Sequence, residues 1–323
     1  MNLLKPNRYL SRRGAHSPHQ QAIRKDTVLV HGGAGAIPAT IMEKKIQGIQ
    51  EAVREGYITL KETGHALDAV ERAIKVMEDN GYFNSGYGSH LTEKGEVEMD
   101  ASIMDGRELS AGGIFTVRNI RHPITLAKLI MVKTKYVILA GEGAEQFARE
   151  NGIEKLPDGK LISKMAREFW ENNKTRTAGG ISEDGSEVGA IVLGKNGDIA
   201  VGVSAGGRSG RMSGLSHGAS HLGSGIYADN TIGATCCSGA PTAISKMCLA
   251  YSITRHLTNM PIMEAIQSEL NYMQTELKQQ AGVISVSKTG EIGVAFTTPN
   301  MVWACQQGRN IQYGTKPDEV LQA

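Results

Sequence analysis

The chain has 323 residues, a formal net charge of +2, 40% hydrophobic but only 5% aromatic residues, and 39 glycines. That length holds one large domain or two ordinary ones, with a core built mainly from aliphatic side chains and methionine. Balanced charge argues against a nucleic-acid or anionic-membrane surface. No apolar run approaches the ~18 residues of a membrane span, and four cysteines in so long a chain suggest a reduced, cytoplasmic setting rather than a disulfide framework.

Residues 1–25 carry Lys5, Arg8, Arg12, Arg13, Arg24 and Lys25 and no acid. They read as a basic disordered tail, a composition also compatible with a mitochondrial leader. One domain is expected over 26–315. Thr27–Val30 is a short buried strand running into His31-Gly32-Gly33-Ala34-Gly35. Apolar residues at three- and four-residue spacing predict helices over about 42–62 and 66–77. Turn residues fill 79–86.

Strands are expected at 96–104 and 113–117. In the first of these Glu96, Glu98 and Asp100 share one face, read as a solvated or structural face rather than an acid–base pair. A helix over 123–133, a strand over 136–139 and helices over 142–150 and 160–172 follow. Residues 172–187 form a polar linker. The next stretch, EVGAIVLGKNGDIAVGVSAGG, is a hairpin turned at Lys195-Asn196-Gly197-Asp198, because Asn-Gly tolerates the positive φ of a tight turn. Then come a Gly/Ser/His loop at 206–222, a strand at 231–238 and helices at 241–256 and 261–279. A hairpin of 283–287 with 291–297 and a strand near 301–305 close the chain. Adjacent strand pairs mean antiparallel sheets with helices packed outside them.

Individual motifs are weak. HGGAG has neither the Gly-Lys-Ser/Thr of a phosphate loop nor GxGxxG spacing. His217 and His221 stand four apart, but Gly218 lies between them without a third ligand, so they read as solvated or hydrogen-bonded histidines. Cys236-Cys237 reads as two small buried residues rather than a nucleophile.

The order of the motifs is more specific. Strand-HGGAG, then ALDAVERAIKVMEDNGYFNSGYGS, GEVEMDASIMDG, SEVGAIVLGKNGDIAVGVSAGG and GIYADNTIGATCCSG resemble, over about residues 26–310, the isoaspartyl peptidase/L-asparaginase family of N-terminal-nucleophile hydrolases. The resemblance implies an α+β fold, a four-layer αββα sandwich with antiparallel sheets. It also implies self-cleavage before a threonine that opens a Thr-Val-Gly-Ala strand and becomes both nucleophile and base.

Here the matching segment is Glu187-Val188-Gly189-Ala190, so glutamate stands at the nucleophile position. Ala205 stands where a second active-site threonine is implied. Leu215 replaces the arginine that grips the substrate carboxylate, and Gly218 the aspartate that holds its ammonium. Asn84 matches, and Ser238-Gly239 stands at the oxyanion-side Thr-Gly. The turn carrying the backbone carbonyls of Met77, Glu78, Asn80, Phe83, Ser85 and Tyr87 resembles a monovalent-cation loop, implying a structural sodium ion and no other cofactor.

These losses predict an uncut, inactive chain with a binding or partnering role, as a homodimer or beside an active relative, its small-molecule ligand unidentified. Val203, Ala205 and Leu215 would make the old pocket more apolar. The alternative is an active amidohydrolase that cleaves at Gly185–Ser186 and uses Ser186 as a shifted nucleophile, although a one-residue slip along a strand reverses the side chain's face. Glu187 is expected either to fill the vacated nucleophile pocket or to pair with Arg208 or Arg211.

Overall fold

A computed structural model describes residues 24–173 and 187–323. Before residue 174 the chain forms β1 (Thr27–Gly35), α1 (Ala39–Thr63), α2 (Ala66–Glu78), β2 (Met99–Asp105) and β3 (Ser110–Val117). It continues with α3 (Pro123–Lys133), β4 (Ile138–Ala140), α4 (Gly141–Glu150) and α5 (Lys164–Asn173). After residue 186 come β5 (Val188–Leu193), β6 (Ile199–Ala205), β7 (Ile226–Asp229) and β8 (Gly233–Gly239). Helices α6 (Pro241–Met247), α7 (Leu249–His256) and α8 (Ile262–Glu276) follow. The last strands are β9 (Ala281–Ser287), β10 (Ile292–Phe296), β11 (Asn300–Gln307), β12 (Asn310–Gly314) and β13 (Leu321–Gln322).

The strands make two sheets, one of nine in the order β13-β12-β11-β1-β5-β6-β2-β3-β4 and one of four in the order β10-β9-β8-β7. Strand side chains alternate between faces, and the central strands of the large sheet bury both. Val28, Val30, Ala190, Val192 and Ala200 pack with Ile49, Val53, Val70 and Ile74 of α1 and α2. Leu29, Ile191, Leu193, Ile199, Val201 and Val203 point the other way, onto Ala234, Cys236, Ile284 and Val286 of the small sheet. The far face of that sheet, with Cys237, Ala281 and Val283, is covered by α6, α7 and α8. The result is the four-layer αββα sandwich, and burial on two faces explains why its central strands read as nearly unbroken apolar runs.

Among the described strands every pairing is antiparallel except β3 with β4. Helix α3 carries the chain across between those two strands, and such a crossover is what a parallel pair requires. The Asn-Gly turn is present, with Gly197 at φ +88°. The helix expected over 241–256 is two helices, broken at Cys248, whose φ of 47° and ψ of 48° are left-handed. Strands β7, β12 and β13 carry no clear sequence signal. They have only 4, 5 and 2 residues, too few to establish a period. No helix among the described residues is long and apolar enough to cross a membrane.

Candidate active site

The site lies where the large sheet meets the small one, at the start of β5. Glu187, the residue just before that strand, is 1% exposed. Its Oε2 accepts a 2.5 Å hydrogen bond from Ser238 Oγ near the end of β8. Its Oε1 lies 3.0 Å from His217 Nδ1. Ser238 Oγ in turn accepts the Ala34 N–H of β1 at 3.0 Å. The serine proton therefore goes to Glu187, and the hydroxyl is not available to steady a developing oxyanion.

A buried carboxylate is costly unless it is paired and hydrogen-bonded. Burial pushes the Glu187 carboxyl upward. The proximity of His217 and the hydrogen bond from Ser238 outweigh it and hold the group below its ordinary value of 4.5. Next to it, His31 Nε2 sits 3.2 Å from Cys236 Sγ. Burial drives that imidazole down to about 4 against the pull of Glu187, so it is neutral at pH 7. Glu187, the residue expected at the nucleophile position, thus has Ser238 and His217 as its side-chain neighbours. Arg211 turns away from it, with Nη1 donating to Gly206 O and Nη2 to Glu98 O, the latter at 2.5 Å.

His217 is held in place from behind. Asp100 Oδ2 accepts the His217 N–H at 2.5 Å and the Ser216 hydroxyl at 3.1 Å, while Oδ1 accepts the Thr116 N–H at 2.7 Å. Glu98 Oε2 accepts the Gly214 N–H at 2.8 Å, and Oε1 binds Arg118. Of the acidic face expected as solvated or structural, Glu96 is partly solvated while Glu98 and Asp100 are structural. Glu98 and Asp100 are 2% and 3% exposed, and their carboxylates clamp the 206–217 loop onto the sheet. Asn84 ties the other end of that loop. Its Nδ2 donates to Gly207 O at 2.7 Å, its Oδ1 accepts the His90 N–H at 2.7 Å, and its own carbonyl accepts the Gly206 N–H at 2.8 Å.

The positions implied to hold an amino-acid substrate are placed as follows. Leu215 is half exposed at the rim of a cleft. Gly218 is pressed against the start of α6. A Cβ there would lie 2.2 Å from Ser245 Oγ and 2.3 Å from the Pro241 carbonyl oxygen. An aspartate at 218 has no room unless α6 moves. Ala205 is buried opposite Asp100 in the ladder of β6 with β2. Gly239 closes β8 opposite Ala281 of β9.

The cleft, about 290 Å³, opens beside His217. It is not the apolar pocket expected from Val203, Ala205 and Leu215. Alternation turns Val203 into the core between the sheets, and arginine, lysine and histidine side chains line the cleft instead.

In the turn after α2, the carbonyls of Met77, Asn80, Phe83 and Ser85 each accept one backbone N–H, at 2.9–3.2 Å. The Glu78 side chain is buried there, with Oε1 accepting the Ile124 N–H at 3.0 Å, and burial raises its carboxyl to about 8. Ser186, most of the 172–187 linker and residues 1–23 of the basic tail lie outside the described residues. Among the described residues no group of three His, Cys, Asp or Glu side chains could hold a metal ion, and His221 bonds Ser216 Oγ at 2.7 Å.

Sequence reasoning missed His217 as the partner of Glu187. Thirty positions separate them, one before β5 and the other in a loop after β6. The only signal was that a buried carboxylate needs a cation or donors, and two nearby arginines fitted that requirement equally well.

A family model described as "Asparaginase" matches residues 24–315. The chain is 40% identical over 297 residues to the isoaspartyl peptidase/L-asparaginase of Homo sapiens, covering 90% of this chain and 96% of that protein. It is 40% identical over 292 residues to the protein of the same name from Mus musculus, covering 89% and 90%. It is 38% identical over 293 residues to that of Xenopus laevis, covering 90% and 95%.

Proposed function

The chain belongs to the asparaginase family, and from that premise we propose that it keeps the family's fold without the family's hydrolysis: it stays uncut and acts by binding. The observation that carries this reading is the state of Glu187. A terminal-nucleophile hydrolase needs a hydroxyl or thiol that first attacks its own preceding peptide bond, then frees an α-amine to serve as base. A carboxylate cannot make that N-to-O shift. Here both of its oxygens are also engaged, by Ser238 and His217.

The surroundings agree. Substrate asparagine would need a carboxylate clamp and an ammonium clamp. Position 215 is leucine, and position 218 is a glycine that the Pro241 carbonyl and Ser245 leave no space to enlarge. Loss of an indispensable nucleophile alone typically costs ~10⁴-fold or more in rate. A monovalent cation such as sodium, held by carbonyls of the 77–87 turn, would brace the loop that presents Asn84. Each of four carbonyls there retains a lone pair beyond the N–H it accepts.

The test is the denatured mass of purified protein after prolonged incubation, together with ammonia release from L-asparagine. One species near 34.6 kDa and no ammonia are expected. Two fragments, the second beginning at Ser186, would replace this reading with that of a hydrolase using a shifted serine nucleophile. Glu187→Thr is expected to remain inactive, because positions 215 and 218 still cannot hold the substrate.

A further inference from the structure

Exposed apolar side chains crowd into one short stretch far from the candidate site in the sequence. Val132, Tyr136, Val137 and Ile138 are 65%, 70%, 46% and 50% exposed. They run from the end of α3 into β4, the last strand of the nine-stranded sheet. Single exposed apolar residues are ordinary, but a contiguous group marks a contact surface. We propose that this edge is where two copies of the chain pair, β4 against β4, about a two-fold axis.

The backbone supplies part of the contact. Gly113 of β3 stands level with Ile138, and its N–H goes to the Val137 carbonyl. In a parallel pair that pattern turns the backbone groups of Val137 and Leu139 toward β3 and those of Ile138 and Ala140 outward. The outward groups are the ones a further strand would bond. An edge built to stay alone is shielded by charged side chains, a bulge or a covering segment. This edge presents tyrosine, valine and isoleucine instead.

What fits it is the same segment reversed. An antiparallel copy lets Ile138 and its equivalent exchange both backbone bonds on the axis, as an isologous contact requires. Tyr136 then falls opposite Ala140 of the other copy, a bulky side chain against a small one. Leu139 packs with the helix-side core. Alternation therefore puts Tyr136, Ile138 and Ala140 together on the opposite face, as one apolar strip continued through both copies. Charge agrees with this register. It sets Thr134 opposite Glu142, and so brings the Lys135 of each copy beside the Glu142 of the other. Both residues are exposed, and Glu142 lies in the first turn of α4. Symmetry makes this contact twice, once at each end of the strip. A strand from an unrelated protein would match neither the size pattern nor the charges.

Sedimentation velocity of the full-length protein tests the assignment. A species of twice the 34.6 kDa chain mass is expected. Ile138→Glu should raise the dimer dissociation constant about tenfold or more, and Lys135→Glu or Glu142→Lys should raise it too. Lys135→Glu combined with Glu142→Lys should recover most of the loss. Ile138→Cys, placed in a Cys248→Ser background so that no other exposed cysteine among the described residues competes, should form a disulfide-linked dimer when an oxidant is added. A monomer at every concentration, a dimer indifferent to Ile138→Glu and to the charge reversals, or a dimer that Ile138→Cys does not cross-link overturns the proposal. It stands apart from the non-hydrolytic reading: self-cleavage or asparagine turnover would overturn that reading and leave this edge as it is.

Discussion

The two walls of the site are held in different ways. On one side Glu187, Ser238, His31 and Cys236 sit at or within strands of the two facing sheets, almost wholly buried, and pair with one another, Glu187 also reaching His217 of the loop. On the other side the 206–218 loop hangs from the Glu98 and Asp100 carboxylates and from Asn84, and turns its cationic groups toward an open cleft. In the strand wall, a change of chemistry must leave every buried polar atom satisfied. A glutamate can stand at 187 because Ser238 and His217 meet its two oxygens. In the loop wall, the backbone contacts that fix the conformation are separate from the side chains that face solvent. Apart from Arg211, whose guanidinium ties Gly206 and Glu98, its charges can therefore change without disturbing the loop that presents them.

Substitutions should separate the walls, and Glu187→Ala should have the largest effect. It removes a buried carboxylate that both Ser238 and His217 use, and is expected to cost about 3 kcal/mol in urea denaturation. A loss under about 0.5 kcal/mol, the usual range for a surface change, would mean the strand wall does not depend on that cluster. Gly218→Asp comes next. Its Cβ has to displace the Pro241 carbonyl and the Ser245 side chain, so a loss of about 2 kcal/mol is expected. Wild-type stability in that variant would show that α6 yields readily.

The pH profile should be moderate in size. His31 and His90 are each driven by burial from 6.5 to about 4. In that interval the unfolded chain binds more protons, so the stability these histidines contribute above pH 6.5 is lost as pH falls toward 4. Glu78 acts oppositely. Its folded carboxyl is raised from 4.5 to about 8, so its contribution is complete below pH 4.5 and is lost as pH rises toward 8. The two histidines outweigh the single glutamate below pH 6.5, and the glutamate acts alone above it. Maximum stability is therefore expected near pH 6.5, falling by about 1–3 kcal/mol on either side, with Glu78→Gln flattening the alkaline limb. A profile still rising from pH 6.5 to 8 would contradict the assignment. Leu215→Arg, half exposed on the loop wall, should move stability by less than about 0.5 kcal/mol and restore no asparagine hydrolysis. Hydrolysis by that variant would erase the distinction between the walls.

Much of the scaffold was legible because its period was clean. In β5 and β6 the alternation of side chains and the Asn-Gly turn defined a hairpin. Helix α3 was bounded by Pro123 at its start and occupies the expected residues 123–133. The break at Cys248 was not legible, since a left-handed cysteine carries no glycine-like mark. The order of motifs singled out Glu187, but its surroundings were not legible. The pairing with His217 joins two segments that only the sheet brings together. The acidic face at Glu98 and Asp100 could be read only as solvated or structural, and the structural alternative holds, because the loop that covers it lies more than 100 residues further on. The cleft's charge was hidden for the same reason, with Arg208 and Arg211 in one segment and Lys246 in another.

The contact between Gly218 and the start of α6 also bears on how the sequence can change. The Pro241 carbonyl fills the space that a side chain at 218 would need. Any larger residue there has to enter together with a shift of that helix, so substitutions at 218 and at the start of α6 are coupled rather than additive. Exposed positions of the cleft such as Leu215 and Lys246 carry no such tie and can change one at a time.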